Sequence, residues 1–287
     1  MALPAEKGNQ IWRVIDILNW GEDYFKSKGF ESPKQEIEWL LCDLLNYKRI
    51  DLYVQFEQPI HRPQLKQLKE WIKRRIGREP LQYITGKTEF YGYKFIITPD
   101  VLIPRPETER VVDVALHKIG NIKNPKVLDV GSGSGCIAIA IGSEKKDALI
   151  LSVDISEGAI RKAKKNAVLN ELSNIEFQVM DILKDIPDGP FDLLVSNPPY
   201  IPEKEMRETM PEVHQYEPKI ALTDERDGLT FYRRFAKIGK SLIKPGGSMV
   251  LEVGLGEHPS KAVDIFQSAG YSQLELIPDY NSDERVL

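Results

Sequence analysis

Cysteine is almost missing from this chain. Cys42 and Cys136 are its only two; both sit in apolar surroundings with no Cys-x-x-Cys and no neighbouring histidine, so neither a zinc site nor a disulfide framework is expected. Histidine is scarce too: His61, His117, His214 and His258 read as structural or surface residues, and no metal is expected. Positive charge is not in excess. Lys+Arg 39 against Asp+Glu 43 gives a formal charge of −4, so no global field draws the chain to nucleic acid, and only a local basic patch is left open. No apolar run is long enough to span a membrane, and the opening Met1-Ala2-Leu3-Pro4-Ala5-Glu6-Lys7 lacks the apolar stretch of a secretory leader. A cytoplasmic, reducing compartment is the expectation. Repeats and low-complexity tracts are also missing. What remains is 287 residues, 41% hydrophobic and 29% charged, the make-up of a soluble globular protein of one large or two ordinary domains.

The first part has helical spacing. Ile11, Val14, Ile15 and Leu18 form one apolar stripe, and Ile37, Leu40, Leu41, Leu44 and Leu45 a second, behind Ser32 as N-cap and Pro33 at the first helical position. Leu65, Leu68, Trp71, Ile72 and Ile76 form a third, with Lys66, Lys69, Lys73, Arg74 and Arg75 on its other faces. This basic helix reads either as a solvated face or as a partner-docking face. The spacing predicts a helical, substrate-docking domain over 1–77. The aromatic and β-branched run Thr88–Ile97, with Gly92 near its middle, predicts a hairpin inside a linker over 78–105.

From 106 to 287 strands and helices alternate. Strands are expected over Lys126–Val130, Leu149–Val153, Ile175–Val179, Asp192–Ser196 and Ser248–Val253, with a last pair near Gln273–Ile277 and Arg285–Leu287. Helices are expected from Gly135, over Glu157–Asn170, Leu229–Leu242 and Pro259–Ala269. The expected fold is α/β: a doubly wound, mostly parallel seven-stranded sheet, Rossmann-like, behind the small helical domain.

Four residues carry the most chemistry. Asn197-Pro198-Pro199-Tyr200 follows the apolar strand Phe191–Ser196, so it lies where a parallel strand opens into a loop. The prolines fix two φ angles and remove two backbone donors. Carbonyl oxygens are left beside an accepting Asn side-chain oxygen, and Tyr200 offers a flat π-face. The result is an acceptor-lined slot for a planar –NH2, either a nucleobase amine or the side-chain amide of Asn or Gln.

A second element is Asp129-Val130-Gly131-Ser132-Gly133-Ser134-Gly135, which ends the first strand of the sheet and opens a helix. Glycines let the backbone turn and approach a ligand at a helix N-terminus. Asp154 ends the next strand, about 20 residues on, where a carboxylate can accept ribose hydroxyls. A nicotinamide cofactor competes, since Gly133–Ala138 satisfies G-x-G-x-x-A. S-adenosylmethionine is favoured. Asp129 can face its cationic methionine end, Asp181 ends the third strand where an adenine edge would lie, Ile155 and Ile182 are apolar walls, and Asn197 closes the same strand-end crevice.

With these residues in order, the chain resembles the protein-(glutamine-N5) methyltransferases that modify bacterial peptide chain release factors. Besides Asn197–Tyr200 the resemblance rests on Gln82–Gly86, Leu102-Ile103-Pro104-Arg105-Pro106-Glu107-Thr108-Glu109, Leu251–Gly254, Glu217-Pro218, Asp227–Leu229 and Asp283–Val286, and it covers nearly the whole chain. It implies an enzyme with S-adenosylmethionine as cofactor and release factors as protein partners; a monomer with no direct nucleic-acid or membrane contact is the expectation beside it. It also implies that Arg105 and Glu107 lie near the substrate. Spacing alone leaves Arg105, Glu107 and Thr108 open between a ligand-facing role and a rigid turn capping a helix over Thr108–Ile119. Ile182 departs from the family, whose members can carry a ring there. Two rivals stand beside this reading. An adenine-N6-type nucleic-acid methyltransferase would need a basic channel; a non-catalytic cofactor-binding adaptor would have no use for the Asn197–Tyr200 slot.

Overall fold

The computed structural model describes residues 11–287; the opening segment read above for a leader lies outside them. The chain forms two compact units, Met1–Gly86 and Lys87–Leu287, so the stretch 78–105 expected as a linker is divided between them.

The first unit holds α1 (Val14–Ser27), α2 (Pro33–Leu45), α3 (Arg49–Val54), α4 (Arg62–Ile76) and α5 (Leu81–Thr85), with short antiparallel strands β1 (Trp12–Arg13) and β2 (Pro59–Ile60). Its core gathers Val14, Ile17, Phe25, Ile37, Leu40, Leu41, Leu68 and Ile72. The first stripe is turned from its expected setting: Ile11 precedes the helix and is exposed, while Val14, Ile17, Leu18 and Phe25 face inward. Ser32 does occupy the N-cap of α2, yet its side chain makes no capping bond. On α4 the expected basic face is interrupted. Arg75 is buried in a two-bond pair with Glu36 (2.7 and 2.8 Å), its guanidinium over the Phe30 ring. Arg74 is committed to Glu79 and to the Tyr83 and Ile84 carbonyls.

The second unit opens with the hairpin β3 (Lys87–Phe90) and β4 (Tyr93–Ile96). Its two-residue turn needs positive φ at both positions, and Tyr91 and Gly92 supply +53° and +76°. Then come α6 (Glu109–Ile119), β5 (Lys126–Val130), α7 (Cys136–Glu144), β6 (Leu149–Asp154), α8 (Glu157–Leu169), β7 (Ile175–Val179) and β8 (Phe191–Ser196). They are followed by α9 (Pro211–Tyr216), α10 (Thr230–Leu242), β9 (Ile243–Leu251), α11 (His258–Ser268), β10 (Ile277–Pro278) and β11 (Glu284–Val286).

Five parallel strands make the main sheet, in the order β7-β6-β5-β8-β9. The chain reverses direction across the sheet between β5 and β8, and open α/β sheets bind ligands at that switch point, outside the carboxyl ends of the strands. All of β8 is buried, as a central strand's apolar run requires.

Seven strands were expected, and the last two pair differently. β10 and β11 form their own antiparallel ladder, and the C-terminus ties to the end of β9 through reciprocal Leu251–Leu287 bonds of 2.8 and 2.9 Å. Gln273 to Leu276 makes no strand: Pro278 brings no donor, and the register breaks between Ile277 and Pro278.

Candidate active site

The carboxyl ends of β5, β6, β7 and β8 surround a cavity of about 530 Å3, within the size range of small-molecule sites. Gly131, Ser132, Gly133 and Ser134 line one side, Asp154, Ile155, Asp181 and Ile182 another, and Asn197, Pro198 and Pro199 a third. Residues from four distant stretches thus meet because their strands are neighbours.

Gly131, Gly133 and Gly135 have φ of +84°, +51° and +84°, which side chains resist. The loop is held from below: Gly131 and Ser132 N–H donate to the Val153 carbonyl at 2.8 and 3.0 Å. Asp154 accepts from Gly133 N–H (2.9 Å) and Ser156 N–H (2.8 Å), one bond per oxygen, so each oxygen keeps a lone pair for a further donor. Asp181 accepts from Leu183 N–H, and its pairing with Lys184 holds its carboxyl below the usual range. Ile155 is half exposed and Ile182 buried, both on the cavity wall. Diol acceptor, apolar walls and glycine cradle fit an adenosyl cofactor.

Four expected site residues do not line the cavity: Asp129, Gly135, Glu107 and Tyr200. Asp129 is buried beneath the glycine loop. It accepts from Ser152 Oγ at 2.6 Å, and since that hydroxyl proton is spent, Ser132 Oγ must be the donor of the 2.5 Å Ser132–Ser152 bond. Burial pushes the Asp129 carboxyl up to about 7, and its Oδ1 has no partner. The reading of Asp129 as a direct partner of the methionine end is therefore replaced by one in which Ser132 stands between it and the cavity. Gly135 serves packing instead, since a Cβ there would lie 3.1 Å from Ala163 Cβ.

Tyr200 was expected to present its ring to the substrate. Its hydroxyl instead donates to Glu252 Oε1 at 3.1 Å, and its ring lies 5.9 Å from that of His258, behind the slot. His258 is structural: Gly254 N–H donates to its Nδ1 (3.1 Å), which places the proton on Nε2, facing the Gly228 carbonyl (3.1 Å). Glycine is required at 228, where a Cβ would sit 2.2 Å from the Tyr200 carbonyl oxygen.

Thr108 makes no side-chain cap to α6. Its hydroxyl donates to Glu252 Oε2 at 2.6 Å and accepts from Asn197 Nδ2 at 3.1 Å. Arg105 lines the cavity and pairs with Glu217. The sequence reading missed a further wall, formed by Pro218–Ala221 and Thr223–Glu225 between β8 and α10 and by Thr230 and Phe231 at the start of α10. Asp224 shapes it by accepting from the N–H groups of Arg226, Gly228 and Thr230 at 2.9–3.0 Å. The available signals were Glu217-Pro218 and Asp227-Gly228-Leu229, noted above only as parts of a resemblance.

Fold and site together define an S-adenosylmethionine-dependent methyltransferase. Comparison with known proteins narrows this. Residues 16–86 match the PrmC N-terminal domain, and residues 110–215 match the methyltransferase small domain. The release factor glutamine methyltransferase of Geobacter sulfurreducens is 38% identical over 278 residues, 97% of this chain and 96% of that protein. The release factor glutamine methyltransferase of Fusobacterium nucleatum is 36% identical over 288 residues, 99% of this chain and 81% of that protein. Among solved structures, the hMettl16 catalytic domain in complex with an RNA hairpin superposes with a TM-score of 0.55 at 17% identity, covering 78% of this chain and 79% of that one; this is a likeness of fold. The chain belongs to the release factor glutamine methyltransferase family.

Proposed function

We propose that the protein transfers a methyl group from S-adenosylmethionine to the side-chain nitrogen (N5) of the glutamine in the Gly-Gly-Gln loop of peptide chain release factors, and so modulates translation termination. The observation that carries the slot chemistry is the bond from Asn197 Nδ2 to Thr108, which turns the Asn197 oxygen to the opposite side as an acceptor. Asn197 Oδ1 and the Pro198 carbonyl accept the two N–H bonds of the substrate amide.

An amide nitrogen is a poor nucleophile because its lone pair is shared with the carbonyl, the resonance behind a C–N rotation barrier of about 18–20 kcal/mol. The cofactor supplies a methyl already activated on a sulfonium. Two fixed acceptors at the substrate –NH2 stabilise positive charge as it develops on nitrogen, the inverse of an oxyanion hole. They also hold the amide plane toward the cofactor crevice. With the cofactor bound, transfer to the amide nitrogen held by Asn197 and Pro198 would form the N–CH3 bond as the S–CH3 bond breaks, the electron pair remaining on sulfur. The cationic amide then loses a proton to water, so no side chain need act as a dedicated base. Arg105 and Pro218, on the cavity wall, contribute to seating the glutamine-bearing loop.

The helical unit is the proposed docking surface for the body of the release factor. Lys66 and Lys73 are exposed on α4, and a tripeptide tip alone offers little binding area. The proposed enzyme is a monomer working in the cytoplasm on protein, without direct nucleic-acid contact. Among the described residues no helix is long and apolar enough to cross a membrane. Mass spectrometry of a purified release factor after incubation with the protein and S-adenosylmethionine tests the activity. A gain of about 14 Da on the Gly-Gly-Gln glutamine is expected, and an unmodified glutamine would overturn it.

A further inference from the structure

The acceptor slot works only if the Asn197 amide faces one way. Turned over, it would present –NH2 to the substrate –NH2 and repel it. Proton counting shows what prevents this. The Thr108 hydroxyl has one proton, and that proton lies on the 2.6 Å bond to Glu252 Oε2. The Thr108 oxygen can therefore only accept from Asn197, and the group that meets it at 3.1 Å must be Nδ2. Thr108 and Glu252 are 2% and 1% exposed, so water cannot take over either bond. The other Glu252 oxygen accepts from the Tyr200 hydroxyl at 3.1 Å. One carboxylate thus holds both ends of Asn197–Tyr200.

Its own position is fixed by the backbone. Glu252 N–H donates to the Ser196 carbonyl at 2.9 Å, the Glu252 carbonyl accepts from the Tyr232 hydroxyl at 2.6 Å, and Glu252 bridges to Val286.

We infer that Glu252, acting through Thr108, is the positioning residue that sets the orientation of the Asn197 amide, and that this orientation is what makes the slot select an –NH2 donor. The inference rests on the reading of Asn197 as the substrate acceptor. Neither Glu252 nor Thr108 touches the reacting atoms in this scheme.

The test is a double-mutant cycle in single-turnover assays on a release factor, with thermal midpoints and cofactor affinities measured alongside. Thr108→Val keeps the side-chain shape and removes the hydroxyl; turnover is expected to fall about 10–10²-fold, the scale of a misplaced contact, with cofactor affinity held within about twofold. Thr108→Ser restores the hydroxyl and should recover most of the loss. In an Asn197→Ala background Thr108→Val should cost nothing further, because the group it orients is gone. Thr108→Ala, which also removes the hydroxyl, reads the same cycle if Thr108→Val does not fold. Wild-type turnover in Thr108→Val, or an equal loss with and without Asn197, would overturn the relay while leaving the slot standing. Wild-type turnover in Asn197→Ala would overturn the slot itself and the inference with it.

Discussion

Arg105 and Glu217, 112 residues apart, meet at 2.5 Å and join the segment before α6 to the loop after α9. Arg105 and Pro218, next to Glu217, both line the cavity, so this ion pair braces two stretches of its wall. Glu217 is buried and its Oε2 has no hydrogen-bond partner, while burial pushes its carboxyl up against the pull of Arg105 and of the Ile103 N–H. Removing the arginine strands a buried carboxylate. Arg105→Ala should cost about 1.5–3 kcal/mol of stability, the scale of hydrogen bonds to charged groups, and raise KM for the release factor. Arg105→Ala with Glu217→Ala should recover much of the stability, as thermal melts will report. A double variant less stable than the single would show that the pair does not act as a unit.

Asn197→Ala should lower turnover by roughly 10²–10³ while cofactor affinity stays within a few-fold. In the proposed site the cofactor is held mainly by the glycine loop and Asp154, which the substitution leaves in place. Calorimetry beside single-turnover kinetics measures both quantities.

Asp154→Ala should weaken S-adenosylmethionine binding by about 1.5–3 kcal/mol. Part of that loss arises in the loop, because Gly133 and Ser156 lose their acceptor. Asp154→Asn retains one oxygen and should fall between the two. Calorimetry with NAD should give no measurable binding; a tight NAD isotherm would overturn the cofactor assignment.

Glu252 makes stability and turnover respond oppositely to pH. Burial raises its carboxyl from 4.5 to about 7; the Glu107 charge adds to the rise, while Arg285 and the Thr108 and Tyr200 hydroxyls oppose it. A raised folded-state value means the native protein holds this proton where the unfolded chain has lost it. The resulting stabilisation is complete below about 4.5 and disappears as pH climbs through about 7. Asp129, also raised to about 7, acts in the same sense, so the Glu252 share is read as wild type minus Glu252→Gln in denaturant melts. Turnover should move the other way. A protonated Glu252 can donate to Thr108, freeing the Thr108 proton to attract the Asn197 oxygen and turn the amide over. Turnover of the wild type should therefore fall on acidification through about 7, and Glu252→Gln should lose that acidic limb. A limb that survives in Glu252→Gln would assign it to another group.

Reversing Lys66, Lys69 and Lys73 to Glu should raise KM for the whole release factor and leave kcat for a short Gly-Gly-Gln peptide nearly unchanged. Arg74 and Arg75 are left alone because their ion pairs hold the helical unit together. The effect should shrink with salt, since exposed charges are screened within about 10 Å at 0.1 M. An equal effect on peptide and protein would leave α4 as a solvated face only.

Much of this was legible in the chain itself. The mostly apolar run Lys126–Val130 became β5 with the expected bounds, because a buried parallel strand must be apolar almost throughout; the alternating run Ile175–Val179 became the edge strand β7, also with the expected bounds and with only Phe177 buried. The glycine loop, Asp154, Asp181 and Asn197 were each readable because backbone geometry or one side chain's chemistry suffices to mark them. Other features depend on distances across the fold. Whether a ring at position 200 faces a ligand or a neighbouring carboxylate is decided by Glu252, 52 residues away. Whether Thr108 caps a helix or orients an amide is decided by the same residue, 144 residues away. A buried hydrogen bond has a direction only when both partners and their protons are in place. The local sequence therefore specified the strand-end residues of the site, and the tertiary structure alone decided which of them meet the cavity and which way Asn197 turns.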